Sequence, residues 1–121
     1  LRVSGRTKLI EMIFATGLPF AGSTDLPESL QDLARLLPAC AGVRRWGAAA
    51  LDMAYVAAGR YDGFWERRLK PWDIAAGILL VKEAGGFVEA LTPGENLIET
   101  GDIIAGNADG FEAFAKVIRN K

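Results

Sequence analysis

The chain has 121 residues, 50% hydrophobic and 24% charged, with a formal net charge of −1. That is enough apolar material to core one domain, or part of a larger one. The near-balanced and interspersed charges give no argument for a basic nucleic-acid groove or a basic membrane-binding face.

Residue counts narrow the chemistry further. The single cysteine, Cys40, excludes an internal disulfide, so the simple expectation is a buried thiol in a reducing, cytoplasmic setting. No histidine occurs, which removes His-based triads and His-rich zinc sites and leaves Cys40 without an activating base. Any metal would be held by oxygen, which favours Mg²⁺, Mn²⁺ or Ca²⁺. No uncharged apolar run is long enough to span a bilayer, and the first residues do not read as a signal peptide. The chain enters on Leu1 and "LRVSGRTKLIEMIFATG", which reads as the middle of a longer protein.

In chain order, "LRVS" and Met12 to Ala15 read as short strands, and "GLPFAGSTD" as a loop. Leu26, Leu30, Leu33 and Leu37 recur at helical spacing, so residues 27 to 37 read as an amphipathic helix ended by Pro38. Asp25, Glu28 and Asp32 favour its front through the helix dipole. "GVRRW" predicts a strand over 43 to 46, and "GAAALDMAYVAAG" a second helix stopped by Gly59. "FWE" at 64 to 66 predicts a strand. "LKPWDIAAGILLVKEAGG" predicts a third helix opened by Pro71 and closed by Gly85 and Gly86. Its apolar residues sit on nearly every face from Ile74 to Val81, which reads as a buried helix. "GFVEAL" at 86 to 91 and "IIAG" at 103 to 106 read as strands, with "TPGENLIETGD" as a loop between them. A last helix begins near Asp109, with Glu112 completing a capping box. The alternation of strand and helix predicts an α/β fold, without repeats or linkers.

Two stretches carry candidate chemistry. Asp73 falls in the first turn of the third helix, beside free N–H groups. It is either a dipole-stabilising acid or a site residue. Glu66, at the end of the preceding strand, can face the same crevice, as sites in open α/β folds do. In "RRWGAAALD", Gly47 marks a strand-to-helix turn. It is either a plain turn glycine or a place where backbone N–H groups approach an anion or polyol. Arg67, Arg68 and Lys70 could supply positive charge near a phosphate. For Arg67 and Arg68 a solvated loop is the expected reading.

The stretch "WGAAALDMAYVAAGRYDGFWERRLKPWDIAAGILLVKEAGGFV" closely resembles the C-terminal half of the inositol monophosphatase family. "WDIAAGILLVKEAGG" resembles that family's C-terminal signature, and the flanking "LRVSGRTKLIEMIFATGLPF" and "IIAGNADGFEAF" resemble bacterial members. The resemblance implies residues 1 to 121 are the C-terminal portion of a layered αβαβα fold, a mixed sheet flanked by helices, whose N-terminal half is absent. It implies a Mg²⁺-dependent, lithium-sensitive phosphatase of small phosphate monoesters, homodimeric when complete. It implies that Asp73 ligates metal, that Glu66 binds an inositol hydroxyl, and that Gly47, Ala48 and Ala49 lie against substrate. The family's Thr or Ser is replaced by Ala48, so a side-chain hydroxyl is lost there. Lys70 falls at a variable position and receives no firm role. The family's Gly-Glu-Glu and Asp-Pro-[Ile/Leu]-Asp-Gly-Thr segments, with the water-activating residues, do not occur, so no catalytic residue is assigned in this chain. The chain alone is expected to be inactive and, with apolar surface uncovered, poorly soluble. Related families act on 3′-phosphoadenosine nucleotides, fructose bisphosphate or histidinol phosphate. A non-catalytic binding or oligomerisation module is the other class of function.

Overall fold

The computed structural model describes residues 1–17, 26–45 and 47–120. Asp25, the loop after Gly17 and the Trp46 end of the expected strand lie outside the described residues.

A five-stranded mixed sheet organises the chain, in the order β2-β1-β3-β5-β4. The strands are β1 (Ile13–Thr16), β2 (Gly42–Arg44), β3 (Gly63–Glu66), β4 (Phe87–Ala90) and β5 (Ile103–Gly106). Strand β1 runs parallel to both β2 and β3, whereas β5 is antiparallel to β3 and β4. The helices are α1 (Leu26–Leu36), α2 (Ala49–Ala57), α3 (Pro71–Glu83), the single turn α4 (Leu97–Thr100) and α5 (Phe111–Arg119).

Side chains alternate across a strand, so each strand feeds both faces of the sheet. Phe14, Trp65 and Ile104 enter a core with Leu36 of α1 and Phe111, Phe114, Ala115 and Ile118 of α5. Their chain neighbours Ala15, Phe64, Ile103 and Ala105 enter a second core with Met53, Val56 and Ala57 of α2 and Ile74 and Val81 of α3. The result is helix, sheet, helix. In the first core Phe14 stacks on Phe114 with ring centroids 4.2 Å apart, and Trp65 meets Phe114 edge-on at 6.0 Å.

Several expectations need correction. "LRVS" forms no strand; it is pinned to the turn before β3 instead. Ser4 Oγ and Arg6 Nη1 both donate to the buried Asp62 carboxylate, and Asn107 Nδ2 donates to the Ser4 carbonyl at 3.0 Å. These side-chain donors hold the segment without a strand ladder. Helix α1 does not bury its whole leucine stripe. Leu30, and Leu37 just past the end of the helix, are each 50% exposed, whereas Ser29, Asp32 and Leu36 are buried. The inward face is rotated because Asp32 turns in to meet cationic partners. Helix α3 is not buried all round: Ile74, Gly77 and Val81 face inward, while Trp72 and Leu79 stand 76% and 61% exposed. The sheet and α2 cover one side of α3, and its other side is left open. The loop after β4 contains α4, whose first N–H groups are accepted by Asn96 Oδ1. Helix α5 starts at Phe111 rather than at a cap on Asp109. Asn107 Oδ1 accepts from the Gly110 N–H at 3.0 Å, and Asp109 is exposed. Cys40 is buried, and burial pushes its thiol pKa up.

Candidate active site

Because β2, β1 and β3 are parallel, their C-terminal ends share one edge of the sheet. Gly17 follows β1, Arg45 and Gly47 follow β2, and Glu66 ends β3. Helix α2 starts two residues after Gly47, and α3 starts five residues after Glu66. Both helices begin beyond that edge, where the strand ends of an open α/β sheet leave a crevice.

Each element places its residue for a local reason. Gly47 has φ +82°, a left-handed conformation that a side chain resists. No atom lies within 4 Å of where its Cβ would be, so the glycine answers to backbone geometry rather than space. The chain then enters α2 through Ala48, extended at φ −133° and ψ 96°, with no side-chain cap. The first N–H groups of α2 are therefore uncapped by this residue. At Gly17 the constraint is space: a Cβ would collide with the Glu66 carboxylate. Thr16 Oγ1 donates to the Trp65 carbonyl at 2.7 Å, tying the ends of β1 and β3 together beside that contact.

Asp73 holds the start of α3. The Lys70 N–H donates to Asp73 Oδ2 at 3.2 Å, and the Asp73 N–H returns to the Lys70 carbonyl at 2.9 Å. The residue is thus a helix-capping acid, and its partial exposure leaves it open to a second role. Glu66 is pushed up to about 7, first by burial, then by the negative charges of Asp52 and Asp73, with Arg45 opposing. Asp52 is itself pushed up to about 6 by burial.

The charge pattern couples Glu66 to Asp73, and Gly47, Ala48 and Ala49 lead into α2 after the neighbouring parallel strand β2. It also adds Asp52, which sequence reasoning missed. The signal was present: Asp52 lies four residues before the buried Val56, on the inward face of an otherwise apolar helix. Arg67 is not a solvated loop residue. Its guanidinium is bound to Asp32 and Glu28. Around Glu66, Asp52 and Asp73 add negative charge that Arg45 opposes. That donor chemistry suits a hard divalent cation. Among the described residues, however, no group of three or more acidic, cysteine or histidine side chains is placed to hold one. The fit is that of part of a site.

The fold defines an α/β protein with a mixed sheet between helix layers and a candidate site at the C-terminal ends of its parallel strands. The model of the inositol monophosphatase family matches residues 1–121, and the chain belongs to that family. It is 46% identical over 119 residues to an inositol-1-monophosphatase of Mesorhizobium japonicum, covering 98% of this chain and 45% of that protein. It is 49% identical over 121 residues to the Nus factor SuhB of Pseudomonas aeruginosa, again covering 98% and 45%. The crystal structure of the extragenic suppressor protein suhB from Bartonella henselae superposes with a TM-score of 0.92 at 44% identity, over 98% of this chain and 45% of that one. The inositol monophosphatase of Anabaena gives 0.90 at 36% identity, over 99% and 49%. The chain thus spans about half the length of the relatives it matches.

Proposed function

We propose that this chain is the C-terminal part of a Mg²⁺-dependent phosphatase that hydrolyses inositol monophosphate or a similar small phosphate monoester, acting in the cytoplasm as a homodimer when complete. The observation that supports this reading is Glu66 at the end of β3 with the start of α3 at Pro71 and its acid Asp73 five to seven residues on, the charge of Asp73 acting on Glu66. In it Asp73 uses its exposed carboxylate edge as a metal ligand, while its bond to Lys70 N–H fixes the side chain. Glu66 accepts a hydroxyl of the substrate. The backbone at Gly47, Ala48 and Ala49 lies against the substrate with the positive end of the α2 dipole behind it. Mg²⁺ would polarise the phosphoryl oxygens and lower the pKa of an attacking water. The remaining ligands and the water-activating groups belong to the portion of the fold that this chain does not span, so the chain alone is inactive.

Release of phosphate by the complete protein tests this, with and without Mg²⁺ and with a chelator. Substrates should include inositol monophosphate, a 3′-phosphoadenosine nucleotide, fructose bisphosphate and histidinol phosphate. Preferred release from inositol monophosphate supports the reading. Preference for another of these esters keeps the chemistry and moves the substrate. Release from none of them would favour a non-catalytic binding or oligomerisation module.

A further inference from the structure

The loop that leads from Glu66 to Asp73 is tied down at every residue. Residues 67 to 70 lie between the end of β3 and the start of α3. The Arg67 guanidinium is held by Asp32, and the Lys70 N–H donates to Asp73 Oδ2 at 3.2 Å. Between them the Arg68 N–H donates to Asp102 Oδ1 at 2.8 Å, and the Leu69 N–H donates to the Gly101 carbonyl at 2.9 Å. The approach is so close that a Cβ on Gly101 would collide with the Leu69 backbone.

Arg68 takes a conformation that needs a cause. Its φ is +58°, in the left-handed region that a Cβ disfavours. Among the described residues the one other non-glycine there is Asn120, which ends α5, where such a cap is ordinary. Arg68 ends no helix, and the bond to Asp102 supplies the cause. Asp102 is itself fixed. Its N–H donates to Thr100 Oγ1 at 3.2 Å, and its carbonyl accepts from the Leu91 N–H at 2.9 Å. It directly precedes Ile103, which pairs with Glu66 across β5 and β3. A carboxylate beside the strand partner of Glu66 therefore holds the turn that leads to Asp73.

We propose that Asp102 is a positioning residue for Asp73: by holding Arg68 in its left-handed turn it sets the course of the loop, and so where the start of α3 stands relative to Glu66. This rests on the reading of Asp73 as a metal ligand given above. The role requires an acceptor oxygen at position 102 and not a charge, so asparagine serves there and alanine does not. Glycine at position 68 enters the left-handed region without penalty and lessens the need for the bond.

The test uses the complete protein as wild type, Asp102→Asn, Asp102→Ala and the double variant Asp102→Ala with Arg68→Gly. One readout is the Mg²⁺ concentration that gives half-maximal phosphate release from inositol monophosphate. The other is amide hydrogen exchange across residues 67 to 73 in the metal-free protein. In Asp102→Ala the half-maximal Mg²⁺ concentration should rise about tenfold, the lower end of what is lost when the support behind a metal ligand is removed, and exchange should quicken. Asp102→Asn should stay within about twofold of wild type on both readouts. The double variant should recover most of the Mg²⁺ requirement. An unchanged Mg²⁺ requirement in Asp102→Ala, with or without a lower urea midpoint, would make the bond a stabilising contact only and overturn the proposal. So would Asp102→Asn as defective as Asp102→Ala, or a double variant no better than the single one. If the wild type releases no phosphate with Mg²⁺, the functional reading itself fails, and the clamp is read by exchange alone. Faster exchange through Asp73 in Asp102→Ala, absent in Asp102→Asn, upholds Asp102 as the residue that places the start of α3, and unmoved exchange overturns it.

Discussion

The Asp32 carboxylate takes both prongs of the Arg67 guanidinium, Nε to Oδ2 at 3.1 Å and Nη2 to Oδ1 at 3.2 Å. It also accepts from Arg35 Nη2 at 2.8 Å and Trp65 Nε1 at 3.3 Å. Asp32 comes from α1, while Trp65 and Arg67 flank Glu66, so this cluster fixes the strand end that carries the candidate site residue Glu66. Asp32→Ala would leave two guanidinium groups and an indole N–H short of their acceptor. A loss of about 3–5 kcal/mol in folding stability is expected, the cost typical of breaking a buried ion pair from one side. Arg67→Lys should be clearly destabilising too, because an ammonium cannot reproduce the fork. Urea denaturation measures both. A loss near zero for Asp32→Ala would mean the cluster is no more than a surface ion pair.

The Glu66 and Asp52 carboxyls give a pH dependence with a definite sign. In the unfolded chain Glu66 and Asp52 ionise near 4.5 and 3.8; in the fold they hold their protons to about 7 and about 6. Between these limits the folded state binds more protons than the unfolded state. Stability contributed by these groups is therefore greatest at acid pH, falls as pH rises from about 4 to about 7, and is level above that. With Glu66 partly screened by solvent and the two shifts sharing a cause, the fall should be ~2 kcal/mol. Glu66→Gln and Asp52→Asn should each flatten it. The measurement is the urea midpoint against pH in metal-free buffer, and a wild-type midpoint that climbs through this window would contradict the assigned environment.

Ala48 offers a cap that the sequence does not use. Its backbone is already extended, as an N-cap requires, and its own side chain makes no cap bond to the first turn of α2. Ala48→Ser should add a hydroxyl acceptor and stabilise the fold by roughly 0.5–1 kcal/mol. Thermal denaturation reads the gain. A melting temperature that falls would show that these N–H groups cannot be reached from position 48.

What could be read in advance follows from how local each cause is. The strand ends at Glu66 and Gly106, the start of α3 at Pro71 and the turn at Gly47 are set by residues beside them, and all were legible. The inward face of α1 was not. The pattern pointed to Leu30 and Leu37, but Asp32 is drawn in by Trp65 and Arg67, more than thirty residues away. The start of "LRVS" likewise reads as strand until Asp62 and Asn107 are seen to take its polar groups. Of the candidate site residues, Glu66 and Asp73 stood at element boundaries where sequence speaks plainly. Asp52 lay inside a helix, and its isolation is a property of the packed structure alone.

Asp73 combines two tasks that a single substitution separates. Its Oδ2 accepts from the Lys70 N–H, which stabilises the start of α3. Its charge, in the proposed function, is held for a metal. Asparagine keeps an oxygen acceptor for the Lys70 N–H, so Asp73→Asn should lower stability by less than about 1 kcal/mol. The same change removes a hard anionic ligand, so in the complete protein Mg²⁺-dependent phosphate release should drop by at least ~10²-fold, as expected when a charge-stabilising group is lost. Raising the Mg²⁺ concentration should recover part of the rate, because the defect lies first in binding. Full activity with an intact fold would return Asp73 to the plain role of a capping acid. A loss of activity matched by loss of the folded state would assign the effect to the helix start and leave Asp73 no role as a ligand.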